Sequence, residues 1–470
     1  MSENGRATPV ALLAGLNARY THSNPALYSL RAHCRGGGTR VDILEMSVNA
    51  SPEDIIAGIV SSRAGIIGLS VYIWNARCLR ALIPRIKAAA PGCRLVLGGP
   101  EVTHSPGDWL SMNEVDIVVA GPGEEAFRKI ITREDFPKGL LAGDVPARER
   151  LIVGDNPRFA DLPFPYEDAD FTRFENRYLY YESSRGCPYR CSYCLSSRED
   201  ARLEERALAD VLRELDTLVA RAPGTVKFVD RTFNARPERA RRIWRHLIES
   251  GARQRFHFEV RPALLGEEDL DLLETAPAGL FQFEMGMQST NDETLRAVGR
   301  SSDWPAARKA VARLATNGAI RTHLDLIAGL PYDTLDTIAR SFDQAYALGP
   351  AHLQLGFLKV LPGTEMRERA AEYALSYNPD PPYEVHENRW ISAGDLASLR
   401  DIAALVDSLY NTGRFRAWLD AHEALHEGAF AMFRALARHW RALGLQARRK
   451  DPDAIAEALA AFAAGDRAHP

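Results

Sequence analysis

Apolar and amphipathic stretches alternate along the first part of the chain. Five apolar runs occur there: Val10–Asn17, Val41–Ser47, Ala64–Trp74, Cys93–Pro100 and Val115–Glu124. The stretches between them have helical periodicity: Pro25–Cys34, Pro52–Ser62, Ala76–Ala90 and Glu124–Ile131. Strands that are apolar on both faces and separated by helices are typical of a doubly wound parallel sheet. We therefore predict an α/β domain of this type over residues 1–150.

A second alternation of strands and helices predicts another α/β domain over residues 151–372. Its strand candidates are Tyr178–Ser184, Thr225–Asp230, Arg255–Val260, Leu280–Met287, Ile320–Gly329 and His352–Val360. Its helix candidates are Leu208–Arg221, Pro237–Ser250, Glu267–Thr275, Pro305–Asn317 and Thr334–Leu348. Eight such units would close a full barrel, so six predict a partial (β/α)6 barrel with an open side.

The last part of the chain, over residues 373–470, has a mainly helical pattern. A linker is indicated at Asp380–Tyr383. Amphipathic stretches follow at Asp395–Asn411, Arg414–Glu423, Gly428–Leu443 and Ile455–Ala464. The aromatic residues are spaced as in a helical core, and we expect them to pack rather than bind a cofactor: Trp390, Tyr410, Trp418, Phe430, Phe433 and Trp440.

Composition narrows the classes of function. Of the 470 residues, 46% are hydrophobic and 26% are charged, with a net charge of −4, so we do not expect nucleic acid as a partner. No apolar run approaches the roughly 20 residues that span a bilayer, and the N-terminus does not read as a signal peptide. Six cysteines are too few for a disulfide framework. We therefore expect a cytoplasmic protein whose clustered cysteines bind a metal or do redox chemistry.

Three cysteines lie within eight residues directly after the first predicted barrel strand. Cys187, Cys191 and Cys194 have the spacing C-x3-C-x2-C in the segment ESSRGCPYRCSYCLSS. In barrel-like folds this end of a strand carries the chemistry. Three thiolates can hold three corners of a [4Fe–4S] cluster and leave one iron open. Zinc is the competing metal, but structural zinc takes four protein ligands and no fourth one lies nearby in sequence.

The loops at the carboxyl ends of four of the first five strands form the second candidate site. They read LNARYTHSNP, SVYIWNAR, GGPEVTHS and AGPGEE, and ligands of open α/β sheets bind at this edge. No G-x-G-x-x-G follows the first strand, so a flavin, a cobalamin or a nucleotide would each suit the domain. His22 is either a metal ligand or an ordinary polar loop residue. Cys34, Cys78 and Cys93 are scattered and are expected to be small packing residues.

The cysteine motif and its position resemble those of the radical S-adenosylmethionine (SAM) superfamily. RGCPYRCSYC resembles the form found where a cobalamin-type domain precedes the barrel. Further resemblance is carried by FVDRTFN, FEVRP, EMGMQS, LDLIAGLP and LKVLPGT at successive strand ends. The resemblance implies that the open iron chelates SAM and that reductive cleavage gives a 5′-deoxyadenosyl radical. It implies these SAM contacts: Tyr193, Asp230, Glu259, Arg261, Glu284, Gln288, Ser289 and Asp325.

The domain combination resembles cobalamin-binding radical SAM enzymes. Two segments resemble those of one subgroup, which has an additional C-terminal domain of unknown function: LNARYTHSNPAL and LYNTGRF (Leu409–Phe415). The resemblance implies a Rossmann-like cobalamin-binding domain. Its implied contacts are Asn17, Tyr20, His22, Ser23, Ser70, Tyr72, Gly98, Gly99, Glu101, Gly121, Gly123 and Glu124. The D-x-H-x-x-G motif that supplies a histidine to cobalt in some cobalamin proteins is absent, so no lower ligand is named.

The expected function is methylation of an unactivated carbon or phosphorus centre of a small molecule. An external electron donor of the flavodoxin or ferredoxin type is expected as a partner. The alternatives are a rearrangement or cyclisation with the same cofactors, a radical SAM barrel with flavin, nucleotide or nothing in the first domain, and a tRNA-modifying methylthio enzyme. A non-enzymatic iron–sulfur or zinc protein used for binding or sensing is a further alternative. The polar residues His257, Gln282, His323 and Gln354 are expected to line the barrel and to suit a polar substrate.

Overall fold

The computed structural model describes residues 11–36, 40–132, 149–154, 158–197, 202–300, 303–445 and 451–466. The described residues fall into two compact units. The first unit comprises the residues up to Arg185 together with 203–229 and 380–382. The second unit comprises 186–202, 230–379 and the residues from Tyr383 onward. Val10, the predicted start of the first strand, lies outside the described residues.

A parallel sheet of six strands forms the centre of the first unit. Its strands are β1 (Ala11–Asn17), β2 (Val41–Ser47), β3 (Ile66–Ser70), β4 (Arg94–Gly98), β5 (Ile117–Ala120) and β6 (Leu151–Val153). The order across the sheet is β2-β1-β3-β4-β5-β6. The helices between the strands are α1 (Pro25–His33), α2 (Pro52–Ser61), α3 (Ala76–Ala89), α4 (Pro100–His104), α5 (Pro106–Leu110) and α6 (Glu124–Thr132). The predicted doubly wound parallel sheet is confirmed, and β6 is an additional short edge strand.

Burial on both faces explains why this sheet forms. Every residue of β1 and of β3 is buried. The apolar face of α3 packs into the same core through Leu79, Ile83 and Ile86. Cys93 lies in this core and Cys78 packs against it, as expected of small hydrophobic residues.

The predicted strand Ala64–Trp74 is much shorter in the structure, where β3 ends at Ser70. Asn75 explains the early end of the strand. Its side-chain oxygen accepts a hydrogen bond from the backbone N–H of Tyr72 at 2.8 Å. Its amide nitrogen donates to the carbonyl oxygens of Ser70 at 2.9 Å and Leu16 at 3.0 Å. These bonds replace strand pairing and turn residues 71–75 into a loop beside the end of β1.

The first unit also contains the first two strands of the second alternation. β7 (Leu179–Tyr181) pairs in parallel with β10 (Val226–Phe228), and α7 (Leu208–Arg221) connects them. A short antiparallel pair, β8 (Ser184–Arg185) and β9 (Glu204–Glu205), follows β7. A buried carboxylate ties this region together, because Glu214 on α7 accepts hydrogen bonds from Tyr181 and Arg206.

Four parallel strands organise the second unit. They are β11 (Phe256–Val260), β12 (Phe281–Gln288), β13 (Arg321–Ala328) and β14 (His352–Phe357), paired in that order. The intervening helices are α8 (Pro237–Glu249), α9 (Glu267–Glu274), α10 (Asp292–Ala297), α11 (Trp304–Asn317) and α12 (Leu335–Tyr346). The predicted alternation is confirmed, with strand ends that differ by at most three residues.

Short polar residues start several of these helices. Asp303 accepts a hydrogen bond from the backbone N–H of Ala306 at 3.0 Å at the start of α11. Thr334 accepts one from the backbone N–H of Thr337 at 3.3 Å at the start of α12. Such N-caps satisfy amide groups that have no partner within the helix, which fixes where each helix begins.

The C-terminal part of the second unit is mainly helical, as predicted. Its elements are α13 (Glu365–Glu368), β15 (Ser376–Tyr377), β16 (Val385–Glu387), α14 (Ala393–Leu405), α15 (Arg416–Glu423), α16 (Ala429–Ala442) and α17 (Pro452–Asp466). The predicted helix Asp395–Asn411 divides here, because a π-helical turn over Val406–Tyr410 follows α14. The predicted linker at Asp380–Tyr383 lies in the turn between the antiparallel strands β15 and β16.

The expected packing of the C-terminal aromatic residues is observed for most of them. Tyr410, Phe430, Phe433 and Trp440 are buried. Trp418 is half-buried and stacks on His422 with 3.8 Å between ring centroids.

Within the described residues, no helix has both the length and the apolar character that crossing a membrane would require.

Gly99 provides a test of the loop after β4. Its φ of +110° favours glycine, and a Cβ placed there would lie 2.5 Å from the carbonyl oxygen of Val71. We expect Gly99→Ala to destabilise the protein by about 1–3 kcal/mol, the usual range for enforced backbone strain, as a lower urea midpoint. Gly92→Ala is the matched control, because Gly92 is exposed and a Cβ added to it would meet no atom within 4 Å. Equal midpoints for the two variants would contradict the expectation.

Candidate functional site

The loop after β1 is held by hydrogen bonds to a buried carboxylate. The side-chain amide of Asn17 donates to the carbonyl oxygen of His22 and to Oε1 of Glu45, each at 2.9 Å. Glu45 also accepts from the backbone N–H of Asn24 at 2.5 Å and from the hydroxyl of Tyr28 at 2.6 Å. Asn17 therefore shapes the loop, and its amide is already satisfied by protein atoms.

His22 points from this loop toward β7. Its Nδ1 lies 2.6 Å from the hydroxyl of Tyr180. Burial lowers the pKa of His22, and the charges of Lys227 and Arg19 add to this, which favours the neutral ring. The neighbouring Ser23 donates its hydroxyl to the carbonyl oxygen of Tyr178 at 2.7 Å.

Exposed aromatic rings lie on the loops that follow β1 and β3. Tyr72 stacks on Trp74 with 4.4 Å between ring centroids, and Trp74 is 46% exposed. Tyr20 is 61% exposed, with the guanidinium of Arg177 at 4.3 Å from its ring centroid. Ser70, at the end of β3, accepts a hydrogen bond from the side chain of Asn24 at 2.8 Å. Its hydroxyl therefore stabilises the carboxyl edge of the sheet. Trp74 was not among the candidates from sequence.

The glycine candidates lie at the carboxyl ends of β4 and β5. Gly98 ends β4, and no atom of the described residues lies within 4 Å of a Cβ placed on it, so there is open space next to this glycine. Gly121 follows β5 with a φ of +88°, and its N–H donates to the hydroxyl of Thr103 at 3.0 Å. Gly123 precedes α6, and a Cβ there would approach Leu30 to 3.2 Å.

The two acidic candidates of this domain are both buried. Glu101 lies on α4 and is 8% exposed. Glu124, at the start of α6, accepts from Arg185 at 2.9 Å and from Ser29 at 3.1 Å. Burial raises the pKa of Glu124, but the charge and hydrogen bond of Arg185 outweigh it, so the pKa is lowered overall. Glu124 thus forms an ion pair with the residue two positions before Cys187.

The cysteine loop is fixed in the second unit by its backbone. The N–H of Cys194 donates to the carbonyl oxygen of Cys191 at 3.0 Å, which closes a turn. Ser192 is held on both sides: its N–H donates to the carbonyl oxygen of Val298 at 3.0 Å, and its own carbonyl accepts from the N–H of Met366 at 2.8 Å. This turn brings the predicted ligands Cys191 and Cys194 onto one short, anchored segment.

Positive charge surrounds the three sulfur atoms. Nη1 of Arg300 lies 3.7 Å from Sγ of Cys191, and the same guanidinium donates to the carbonyl oxygen of Gly286. Arg261 stacks on Tyr189 at 3.8 Å from the ring centroid. The hydroxyl of Thr232 lies 3.7 Å from Sγ of Cys187. Sequence reasoning identified Arg261 but missed Arg300 and Thr232, which are remote from the cysteines along the chain.

The two guanidinium groups repel each other. Burial lowers the pKa of Arg261, and the charge of Arg300 lowers it further, whereas Cys191 and Cys187 act in the opposite direction. An anionic group between the arginines would relieve this repulsion. The donor set of three thiols with flanking cations therefore fits an anionic thiolate-bound cluster, and it also fits a carboxylate next to that cluster.

The described residues contain no group of three or more His, Cys, Asp or Glu side chains arranged to hold a metal ion. A single zinc ion needs its sulfur ligands at about 2.3 Å from one point. The corners of a cubane are separate iron atoms, so its three cysteines need not converge in this way.

Tyr193 lies between the last two cysteines of the motif. Burial raises the pKa of its hydroxyl, which keeps the ring neutral. Arg300 acts in the opposite direction, and Cys191 and Cys194 raise the pKa further. The side chain is therefore close to the sulfur atoms of Cys191 and Cys194.

A row of polar side chains crosses the four strands of the second unit. Glu259 on β11 is in register with Glu284 on β12, which is in register with His323 on β13, which is in register with His352 on β14. Side chains in register on adjacent strands lie on the same face of a sheet. Asp325 lies on this face too, two residues after His323.

Imidazole groups accompany the carboxylates of this face. Nε2 of His257 lies 3.0 Å from Oε2 of Glu284, and Nε2 of His323 lies 3.1 Å from Oδ1 of Asp325. Burial raises the pKa of Asp325, whereas His323 opposes the shift. His323 and His352 meet edge to face with 4.1 Å between ring centroids. The structure thus brings together the candidates Glu284 and Asp325, and it places two histidines expected from sequence beside them.

The side chain of Gln288 folds back over Gly286 at the end of β12. Gln288 has a φ of +69° at a β-bulge, and its side-chain amide would lie 2.2 Å from a Cβ on Gly286. Ser289 points elsewhere, since its hydroxyl donates to Asp333 at 3.2 Å within a buried network. The last candidate, Asp230, is 1% exposed.

Comparison with known proteins identifies the class to which this fold and this cysteine loop belong. A B12 binding domain model matches residues 12–131, a Radical SAM superfamily model matches residues 181–345, and a model for a protein of unknown function (DUF4080) matches residues 371–469. The chain thus contains a B12 binding domain, a radical SAM domain and a C-terminal DUF4080 domain. The interpretation of the sequence as a cobalamin-binding radical SAM protein is confirmed.

Individual relatives agree with this assignment. TokK of Streptomyces tokunonensis, a cobalamin-dependent radical SAM methyltransferase, is 27% identical over 373 residues, which cover 71% of this chain and 52% of TokK. OxsB has a TM-score of 0.71 at 14% identity over 97% of this chain and 81% of its own. TsrM of Kitasatospora setae has a TM-score of 0.62 at 18% identity over 80% of this chain and 79% of its own. At these identities the structural likeness establishes the fold. The chain spans about half the length of the curated relatives it matches.

Acidification should destabilise the fold through His352. Burial lowers its pKa to about 4, His323 and Arg321 add to this, and Glu284 opposes it; Asn411 is its further polar neighbour. Because the folded pKa lies below the unfolded value of 6.5, stability falls as the pH drops from about 6.5 toward 4. We expect His352→Gln to remove roughly 1–2 kcal/mol of the stability lost between about pH 7 and pH 5.

Urea midpoints of both proteins at the two pH values measure this effect. His386→Gln is the control, because His386 is exposed on β16. An identical pH dependence for wild type and His352→Gln would contradict the expectation.

Proposed function

We propose that this protein is a cobalamin-dependent radical SAM enzyme that methylates an unactivated carbon or phosphorus centre of a small polar molecule. The observation that carries the proposal is the cysteine loop. Three cysteines on one anchored turn, flanked by Arg261 and Arg300, leave a fourth cluster corner for an exogenous ligand, in a chain that also contains a B12 binding domain.

The residues of the second unit have distinct roles in this proposal. Cys187, Cys191 and Cys194 hold the [4Fe–4S] cluster. Arg261 and Arg300 pair with the carboxylate of SAM, because guanidinium groups bind carboxylates through paired hydrogen bonds. Five carboxylate or amide side chains accept from its ammonium and hydroxyl groups or bind its ribose: Asp230, Glu259, Glu284, Gln288 and Asp325. Ser289 lies next to Gln288 in this proposed SAM site, with its hydroxyl donated to Asp333. Tyr193 packs on the adenine. When bound, the cluster supplies the electron that cleaves SAM, and cobalamin carries the methyl group.

The carboxyl edge of the first sheet is proposed to hold cobalamin. An open edge with glycine backbones at Gly98 and Gly121 admits a large flat ring. The exposed stack of Tyr72 and Trp74 offers an apolar surface of matching shape. Four of the proposed cobalamin-site residues shape this edge, because their side chains are bonded to other protein atoms: Asn17, Ser23, Ser70 and Glu124. The others are proposed to contact the ring's amide substituents: Tyr20, His22, Gly99, Glu101 and Gly123.

Methyl transfer is favoured over rearrangement by the activities of two relatives. TokK and TsrM are both methyltransferases. Rearrangement or cyclisation remains the second candidate, because it requires the same cofactor scaffold. The polar strand face in the second unit, with Glu284, Asp325, His257 and His323, supports a polar substrate.

The proposal also includes an electron donor, a cellular location and the domain boundaries. Reduction of the cluster requires an external electron donor of the flavodoxin or ferredoxin type. All six cysteines are free, which supports a reducing cytoplasmic setting. We place the domain boundaries at residues 1–150, 151–372 and 373–470.

Anaerobic reconstitution with iron, sulfide and cobalamin, followed by SAM and dithionite, tests the proposed function. We expect about four irons and one cobalt per chain, and formation of 5′-deoxyadenosine and S-adenosylhomocysteine. Cys191→Ala should abolish both products, because one corner of the cluster loses its ligand. Cys78→Ala is the matched control, since Cys78 packs against the core of the other unit.

Three outcomes distinguish the candidates. Formation of S-adenosylhomocysteine supports methyl transfer, and 5′-deoxyadenosine without it supports rearrangement. A metal site with four protein ligands and no turnover of SAM would refute both and would favour a binding or sensing protein.

Arg300 should raise the reduction potential of the cluster. Its guanidinium is next to Sγ of Cys191, and positive charge and hydrogen bonds at the sulfur ligands favour the reduced state. A hydrogen bond to a charged group is worth about 1.5–3 kcal/mol, so Arg300→Gln should lower the potential by roughly 60–120 mV. Arg300→Lys retains the charge and should have a smaller effect. A redox titration followed by electron paramagnetic resonance measures the potential, and an unchanged value for Arg300→Gln would contradict the prediction.

A further inference from the structure

Asn411 acts as a pairing partner for the outer strand of the barrel sheet. Its side-chain oxygen accepts from the N–H of Leu353 at 2.9 Å, and its amide nitrogen donates to the carbonyl oxygen of Leu353 at 2.9 Å. The amide therefore satisfies both backbone groups of one residue of β14, as a neighbouring strand would. Among the described strands, β14 has a pairing partner on one side only, β13.

The position of Asn411 depends on the segment that follows α14. The π-helical turn Val406–Tyr410 ends directly before it, and the carboxylate of Asp407 accepts from its amide at 2.9 Å. A π-turn inserts one residue into a helix and reorients the side chains that follow, and such turns are frequent at functional sites. The sequence LYNTGRF, which resembles the subgroup with the C-terminal domain, contains this asparagine.

From Asn411 a chain of polar contacts leads across the sheet face. The amide nitrogen of Asn411 lies 3.4 Å from Nε2 of His352, which meets His323 edge to face. His323 in turn lies 3.1 Å from Oδ1 of Asp325. Nε2 of His323 and Oδ1 of Asp325 are buried and have no well-aligned hydrogen bond to any described residue. Each atom is therefore the nearest polar partner of the other. A small displacement of His323 would change how the carboxylate of Asp325 is held.

We propose that Asn411 of the C-terminal domain is a positioning residue for the barrel: it fixes β14 and His352, which hold His323 against the Asp325 carboxylate. The inference rests on the proposed function, in which Asp325 contacts SAM. It assigns a role to the DUF4080 region, which completes the outer strand and thereby sets the geometry of a cofactor contact on the neighbouring strand.

Two physical arguments support a role beyond general stability. A single amide forms hydrogen bonds with both backbone groups of Leu353. It therefore stabilises β14 and also fixes the position of this strand along the sheet. Contacts that are long or poorly aligned in the free protein often tighten when the ligand binds, so the 3.1 Å contact between His323 and Asp325 is suited to close around bound SAM.

The affinity of the cluster- and cobalamin-loaded protein for SAM tests the inference. It is measured by titrating SAM into the reduced protein and following the change in the cluster's electron paramagnetic resonance spectrum. Loss of one partner of a buried polar group costs enough for a roughly tenfold or greater loss of affinity, which we expect for Asn411→Ala and for His323→Leu. His323→Gln keeps a donor near Asp325 and should restore affinity to within about threefold of wild type.

Tyr410→Phe is the matched control. It removes a hydrogen bond of 2.8 Å to the carbonyl oxygen of Pro350 from the same segment but does not touch the contacts of Asn411. Iron content and urea midpoint are measured for every variant. Equal loss of affinity in Tyr410→Phe and Asn411→Ala would overturn the inference, since it would show a general effect on stability. If Asn411→Ala does not fold, equal affinities of His323→Leu and His323→Gln would overturn it.

The two proposals fail in different ways. A wild-type spectrum that does not respond to SAM would refute the proposed function. A wild-type protein that binds SAM, with unchanged affinity in Asn411→Ala, would refute the positioning role alone.

Discussion

Pairing carboxylates with imidazoles on one face of the barrel sheet is the constraint on which the second unit depends. The opposite face of β11 and β12 is apolar, with Phe256, Phe258, Phe281 and Phe283 fully buried. The polar face carries Glu284 and Asp325, and ionised carboxylates are costly to bury without partners. Imidazoles on the same face supply those partners: His257 contacts Glu284 and His323 contacts Asp325. The alternation of phenylalanine with acid and histidine along the strands is therefore one arrangement with two faces, a packed core and a polar surface.

Charge complementarity explains the surroundings of the cysteine loop in the same way. Thiolates and a carboxylate ligand would bring negative charge to the carboxyl ends of the strands. The protein supplies Arg261 from the end of β11 and Arg300 from the end of α10, although the two arginines repel each other in the absence of an anion. Repulsion between the two guanidinium groups is unfavourable in the free protein. An anion that lies between them attracts both, and this attraction outweighs the repulsion. This is the pattern expected of a preorganised anion site.

Local sequence patterns were sufficient to predict the domains and the cysteine ligands. Runs of apolar residues predicted the two alternating α/β regions, and the helix bounds of α7 were predicted to the residue because a clear amphipathic period is local information. The cysteine motif is also local, since its three members lie within eight residues. The early end of β3 was not predictable, because it depends on Asn75 reaching the end of β1. Contacts made by register and tertiary packing were likewise missed: Arg300 lies 109 residues from Cys191, and Asn411 lies 59 residues from His352.

A partial barrel leaves an outer strand with unpaired backbone groups, and the C-terminal domain answers this problem at β14. Exposed strand edges invite pairing with other chains, and proteins cover them with helices, loops or charges. Here Asn411 imitates a strand, while α16 packs Phe430 and Phe433 against Phe342 on α12. The aromatic packing is on α12, so it does not fix the register of β14, whereas the asparagine amide specifies one residue, Leu353. His352 directly precedes Leu353. Fixing Leu353 therefore also fixes His352, which lies at the outer end of the polar row. The covering of the edge and the geometry of the site therefore depend on the same side chain.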